Sequence, residues 1–309
     1  MKLLLIGGTG FFGKSILDAF KRNILDIFHV SEIIVVSRNS KNFKINYPEL
    51  LDDRVSFLDM DISNTTHIPD FDYVIHAASS TDKRDYILDE LNQLKNIELG
   101  ASNFTKLILK KPKGIKILYC SSGAVYGQQP HYLKNISESH QLLDLNSLEK
   151  EKRIYAKGKR LAEKYIFQLS KLGYSSVITR CFSFYGKYLP KNQHFAYGNF
   201  LGRAELKKDI LVKAKNKVFR SYMHADDLVM SLFSLLCFNQ SNFEIFNVGS
   251  PKSLLIHDLA LLISKKYNVN VISDKIDELL PHDRYVPNVE KLYNFLKLNN
   301  IDTSKFKNL

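Results

Sequence analysis

Residues 2–22, KLLLIGGTGFFGKSILDAFKR, pass from an unbroken apolar run through a glycine-rich turn into a segment of helical periodicity, and EIIVVS at 32–37 is again apolar and β-branched. Strand, turn, helix and strand in that order make a βαβ unit. Gly7, Gly10 and Gly13 fall where the first strand ends and the first helix opens. Glycine there permits a tight turn and close approach to the backbone, while the free amides at a helix start face an anion. The stretch therefore predicts a pyrophosphate-binding turn for a dinucleotide, with Thr9, Phe11 and Phe12 beside the glycines. An ordinary glycine turn is the bland alternative, and the strand before it and the helix after it weigh against that.

Working outward, VSFLD, YVIHAA, IKILYCSS, SVITRCF and FEIFNVG repeat the strand pattern, and the earlier ones are separated by segments long enough for helices. Parallel strands need crossover connections, so this alternation predicts an α/β fold with a doubly wound, Rossmann-type parallel sheet, its apolar strands covered on both faces. Past residue 186 the text turns aromatic and irregular (YGKYLPKNQHFAYGNF), HADDLVMSLFSLL returns to a core-packed helix, and short helices follow FEIFNVG. We expect a dinucleotide-binding domain of 1–186 and 221–248, interleaved with a second, smaller α/β substrate-binding domain of 187–220 and 249–309.

The 309 residues are 45 % hydrophobic and 25 % charged, enough to bury a sizeable core. No apolar run approaches the roughly 18 to 20 residues of a membrane helix, and MKLLLI enters the glycine turn without a cleavage site. A cytoplasmic protein without membrane attachment is expected. The three cysteines, Cys120, Cys181 and Cys237, lie far apart and show neither disulfide-framework nor metal-ligand spacing. The net charge of +12 is carried by scattered lysines with no nucleic-acid-binding motif, which reads as a solvated basic surface compatible with a phosphorylated small molecule.

The choice of dinucleotide turns on the end of the second strand. An acidic residue there would chelate the ribose hydroxyls of NAD; this chain has Ser37 and Arg38. Arg38 can pair with a ribose phosphate, which favours NADP(H), although an arginine stacked on adenine also suits NAD(H). Asp61, followed by Ile62 in MDIS, is a candidate acceptor for the adenine amino group or else a turn-capping aspartate.

Tyr155 and Lys159 stand four apart in YAKGK, within a segment that reads as a helix, so both project from one face. An ammonium beside a phenol favours the phenolate and makes tyrosine usable as a general acid or base. Ser122, in YCSSGAVYG, ends an apolar strand at the edge where α/β sheets place ligands, and its hydroxyl could hold a substrate oxygen; capping the next turn is its bland alternative.

With these residues assembled, the chain resembles the extended short-chain dehydrogenases, the nucleotide-sugar epimerase, dehydratase and reductase group, over nearly its whole length. GGTGFFG, HAAS at 76–79, Asn96 in KNIELGA, SSGAVYG, YAKGK, RCFSFYG at 180–186, RSYMHADD and FNVGS follow the family's order of motifs. The resemblance implies Ser122, Tyr155 and Lys159 as catalytic residues, with Tyr155 and Lys159 also at the cofactor, Lys159 on the nicotinamide ribose, and Ser122 also at the substrate. It further implies Ala77, Ala78, Ser79 and Asn96 at the cofactor, and Ser183, Asn199 and Arg220 toward a nucleotide-diphosphate sugar. Gly123 and Ala124 stand where the 4,6-dehydratases carry an Asp-Glu pair, which argues against dehydration by that route. Ser183 and Ser221 replace the family's usual asparagine and aspartate. The pattern is similar to enzymes of polysaccharide gene clusters and implies a reductase of a nucleotide 4-keto-6-deoxyhexose using NADP(H). A nucleotide-sugar 4-epimerase with NAD is the alternative, and a non-catalytic dinucleotide sensor a remote one. The family also implies a homodimer through helices near residues 86 to 111 and 150 to 171.

Overall fold

In the computed structural model, which describes residues 1–79, 90–193 and 195–309, the seven apolar runs all become strands of one sheet. These are β1 (Lys2–Ile6), β2 (Glu32–Ser37), β3 (Val55–Asp59), β4 (Tyr73–His76), β5 (Lys116–Ser122), β6 (Ser175–Cys181) and β11 (Phe243–Val248). Every pairing is parallel, in the order β11-β6-β5-β4-β1-β2-β3. The chain winds from β1 outward through β2 and β3, then returns to β4 on the other side of β1. The crevice between the carboxyl ends of β1 and β4 is thus the topological switch point, where open α/β sheets bind ligands.

Neighbouring side chains on a strand face opposite ways, and both ways lead to buried apolar surroundings here. Leu3, Leu5, Ile33 and Val35 pack with Ile16 and Phe20 of α1 (Phe11–Lys21) and with Leu228 and Leu232 of the later helix Ala225–Phe238. Leu4, Ile6, Ile34 and Val36 pack on the other face with Phe104 and Ile108 of the helix Glu90–Ile108 and with Ala162 and Ile166 of the helix Lys150–Lys171. Each such side chain taken out of water contributes about 1.5–3 kcal/mol, which is why the central strands are apolar on both faces along most of their length. Among the described residues the α-helices are, in chain order, α1, α2 (Ser40–Asn46), α3 (Glu90–Ile108), α4 (Lys150–Lys171), α5 (Ala196–Glu205), α6 (Ala225–Phe238), α7 (Ile256–Tyr267) and α8 (Glu290–Leu298). The expected helix start near residue 86 lies outside the described residues.

Around a separate cluster of Phe200, Ile210, Val212, Ile256, Leu259 and Ile263 the chain builds smaller sheets. There β8 (Ile210–Val212) pairs with β13 (Val271–Ser273), and β9 (Val218–Arg220) lies between β12 (Leu254–Leu255) and β14 (Asp283–Tyr285). The short strands β7 (Phe184–Tyr185) and β10 (Met223–His224) pair beside the main sheet. Two details depart from the sequence reading. The end of the stretch read as irregular, from Ala196, is the first part of α5, and Val289, Leu292 and Leu296 near the carboxyl end are buried with the main sheet. Among the described residues no helix is long and apolar enough to cross a membrane.

Candidate active site

The glycine turn fits a dinucleotide. Gly7 has φ +85°, and a Cβ there would lie 2.6 Å from the Ala78 backbone, so glycine alone lets the turn press against the strand-end loop of β4. A Cβ on Gly13 would lie 2.2 Å from the Gly8 carbonyl oxygen, which fixes the seating of α1 on the turn. At Gly10 a Cβ would meet only the Gly7 carbonyl, at 3.4 Å, so this position presents bare backbone. Gly10 is the N-cap of α1 and supplies no side-chain cap, leaving the first amides of the helix for an anion. Phe11 and Phe12 pack against the core, with the Phe12 ring 5.2 Å from Phe184. The Ala77 amide donates to the Ile6 carbonyl at 2.8 Å, which holds Ala77, Ala78 and Ser79 beside Gly7. Asn96 lies exposed on α3.

At the end of β2, Ser37 Oγ is 3.0 Å from Thr9 Oγ1, tying the glycine turn to the second strand. Arg38, next in the chain, is exposed and makes no hydrogen bond or ion pair to the described residues. Asp61 Oδ1 accepts from the Ser63 amide at 2.9 Å and its hydroxyl at 2.8 Å, so one carboxylate oxygen is committed to closing a turn. Ile62 beside it is buried.

Lys159 is buried in α4, and its Nζ donates to the Cys120 carbonyl at 2.9 Å and to Tyr119 Oη at 3.4 Å. The ammonium also lies 5.9 Å from the centre of the Tyr155 ring, one helical turn away. Burial pushes its pKa down to about 8, with Cys120, Cys181 and Glu163 acting in the opposite sense. It therefore remains mostly charged at neutral pH beside the phenol. Ser122 ends β5, so that strand carries both the Cys120 carbonyl that anchors the lysine and the serine hydroxyl. Ser122 Oγ accepts from the Ala124 amide at 3.2 Å, the turn-capping role, and also lies 3.2 Å from Tyr285 Oη. A Cβ on Gly123 would stand 2.7 Å from the Phe182 ring, so a side chain there would have to displace that ring.

A buried ion pair locks this arrangement. Glu163, four residues beyond Lys159 on α4, accepts from Arg180 of β6 through Nε at 3.1 Å and Nη2 at 2.8 Å, and from Ser121 Oγ at 2.6 Å. Arg180 lies 4.8 Å from the centre of the Tyr126 ring, and Tyr126 Oη donates to Asn247 of β11 at 2.8 Å. Strands β5, β6 and β11 are thus tied to the helix that carries Tyr155 and Lys159. On its other side α4 closes on α3, where a Cβ at Gly158 would lie 2.8 Å from Ile97 Cδ1.

Of the residues expected toward a substrate, Ser183 is half-buried and its carbonyl accepts from the Met223 amide at 3.1 Å. Asn199, on α5, lines a cavity of about 360 Å³ with Phe200, Arg203, Val212, Lys213 and Ile256. Arg220 is already engaged, its Nη2 donating to Asp283 Oδ2 at 2.7 Å and Nη1 to the Phe219 carbonyl at 2.8 Å. Another cavity, of about 520 Å³, lies along the edge strand β11 and holds none of the expected site residues. Sequence reasoning missed Glu163, Arg180, Asp283 and Tyr285. Glu163 had a visible signal in its i+4 spacing from Lys159, whereas Asp283 and Tyr285 belong to no motif.

A parallel sheet with a glycine turn at its switch point, and a Tyr-x-x-x-Lys helix beside a strand-end serine, defines a dinucleotide-dependent oxidoreductase of the extended short-chain dehydrogenase type. The chain belongs to the NAD dependent epimerase/dehydratase family, whose model matches residues 3–249. It is 25% identical over 291 residues to UDP-glucuronic acid decarboxylase 3 of Arabidopsis thaliana, spanning 92% of this chain and 79% of the relative. To the UDP-glucose 4-epimerase of Mycoplasma genitalium it is 25% identical over 277 residues, 81% of this chain and 76% of that one. A dTDP-glucose 4,6-dehydratase of Streptomyces venezuelae, solved with NAD bound, shares the fold with a TM-score of 0.77 at 19% identity, covering 95% of this chain and 90% of that one.

Proposed function

We propose that the protein reduces the keto group of a nucleotide-linked sugar, a 4-keto-6-deoxyhexose, with NADP(H). What supports this reading is Lys159, anchored to the Cys120 carbonyl of β5 and 5.9 Å from the Tyr155 ring, with Ser122 ending the same strand and a glycine turn on β1 that fits a dinucleotide. The bound nicotinamide would supply the hydride. Tyr155 delivers the proton to the substrate oxygen, the neighbouring Lys159 charge stabilises the phenolate left behind, and Ser122 hydrogen-bonds the developing alkoxide. Ser37 and the exposed Arg38 support NADP(H), since a guanidinium matches a ribose phosphate and a carboxylate is lacking where NAD would use one. Asn199 and the cavity it lines suit the nucleotide, and Arg220 suits the diphosphate through its planar fork, sharing its donors with Asp283. Incubating the purified enzyme with NADPH and a panel of nucleotide 4-keto sugars tests the reading: NADPH consumption supports it, and none across the panel overturns it.

A nucleotide-sugar 4-epimerase using NAD is the second reading, favoured by the likeness to the Mycoplasma epimerase. Tightly held NAD in fresh protein, with two epimers interconverting without added cofactor, would establish it. We also infer a homodimer formed through α3 and α4, supported by Leu99, Leu109, Phe167 and Leu172, large apolar side chains left exposed on or just beyond these helices.

A further inference from the structure

Strand β14 brings two side chains into the site from far along the chain. It runs parallel to β9, with Tyr285 opposite Arg220. Asp283 grips Arg220 at 2.7 Å, and Tyr285, two residues on and therefore on the same face, reaches Ser122. Tyr285 Oη lies 3.2 Å from Ser122 Oγ and donates to the Cys181 carbonyl at 3.3 Å, while its ring packs on Phe182 with centroids 4.6 Å apart. Burial pushes the phenol up to about 12, with the Ser122 hydrogen bond acting the other way, so Tyr285 remains a protonated donor in the working range.

Counting protons constrains what this trio does. The Cys181 carbonyl only accepts, Tyr285 and Ser122 have one hydroxyl proton each, and Ser122 Oγ already accepts from the Ala124 amide. While Tyr285 donates to Cys181, Ser122 can bond Tyr285 only as donor, and it then offers the site a lone pair, which suits a substrate alcohol. When Tyr285 turns its proton onto Ser122, the serine proton is freed toward the site, which suits a ketone or an alkoxide. We propose that Tyr285 is a positioning residue whose hydroxyl swings between the Cys181 carbonyl and Ser122 Oγ, setting whether Ser122 donates to or accepts from the reacting substrate oxygen. Two O–H bonds rotate, no covalent bond changes at Tyr285, and the proton consumed in reduction still comes from Tyr155. The inference rests on the oxidoreductase reading above.

Its test compares the wild type with Ser122→Ala, Tyr285→Phe and the double variant, using NADPH and the nucleotide 4-keto-6-deoxyhexose that the wild type reduces. Tyr285→Phe keeps the ring on Phe182 and should lower kcat about tenfold, the scale of one neutral hydrogen bond, with KM within about twofold. Because Tyr285 acts through Ser122, it should add no further loss in the Ser122→Ala background. Losses that multiply in the double variant, or an effect confined to KM, overturn the inference while leaving the reaction reading intact. A wild type inactive on every keto sugar sinks the reaction reading and the role of Tyr285 with it. Thermal unfolding of the same four proteins gives a second readout: each single change removes the shared Ser122–Tyr285 bond besides a bond of its own to Ala124 or Cys181, so the shift in the double variant should fall short of the sum, and strictly additive shifts overturn the contact.

Discussion

Lys159 holds its charge against its surroundings. Its folded pKa of about 8 lies below the ordinary 10.5, so over that interval the folded chain binds fewer protons than the unfolded one. Burying the charged form therefore costs stability below pH 8, and that cost is relieved as pH rises through 8. Activity runs the other way, because neutral Lys159 no longer favours the Tyr155 phenolate. We expect kcat to fall above about pH 8, and a flat profile to pH 10 would contradict this role for the lysine. Tyr155→Phe should lower kcat by about 10²–10⁴-fold, the usual worth of a general acid, while NADPH affinity measured by calorimetry stays close to wild type. Arg38→Ala should remove most of a preference for NADPH over NADH, and an unchanged ratio of the two dissociation constants would move the phosphate contact elsewhere.

At the scale of elements, what was legible depended on how each element is stabilised. The main strands read directly because each carries a run of apolar residues, continuous where both faces are buried, as in Leu3, Leu4, Leu5 and Ile6. Strands β12 and β14 are two and three residues long and exist through their pairing with β9, so no local pattern announces them. Ser122 was legible because it ends a long apolar strand; its partner Tyr285 was not, since the two meet across 163 residues of chain. Glu163 shows the same limit. Its spacing on α4 was in view, but its pairing with Arg180 depends on β6 lying beside β5. Removing one member of this buried pair strands the other charge, so Glu163→Ala should destabilise the fold by about 3–5 kcal/mol in urea unfolding. A loss below about 1 kcal/mol, the range of surface pairs, would mean that the pair does not brace the helix.

For the molecule as a whole, the main sheet supplies the switch-point crevice, and the smaller sheets contribute Arg220, Asp283 and Tyr285 from β9 and β14, of which Tyr285 reaches Ser122 at the end of β5. The exposed Phe167 on α4 should be covered in a dimer. Sedimentation should show two copies for the wild type and a shift toward one for Phe167→Glu; a wild type that sediments as a monomer would refute the pairing. Net reduction of a nucleotide-linked keto sugar, the activity we propose, would move a hydride from NADPH to the sugar. Its most direct test uses NADPH deuterated at C4 of the nicotinamide and mass spectrometry of the sugar product. The expected product carries one deuterium for each NADPH consumed. Conversion of the sugar with no label gained and no NADPH consumed would contradict reduction and leave the epimerase.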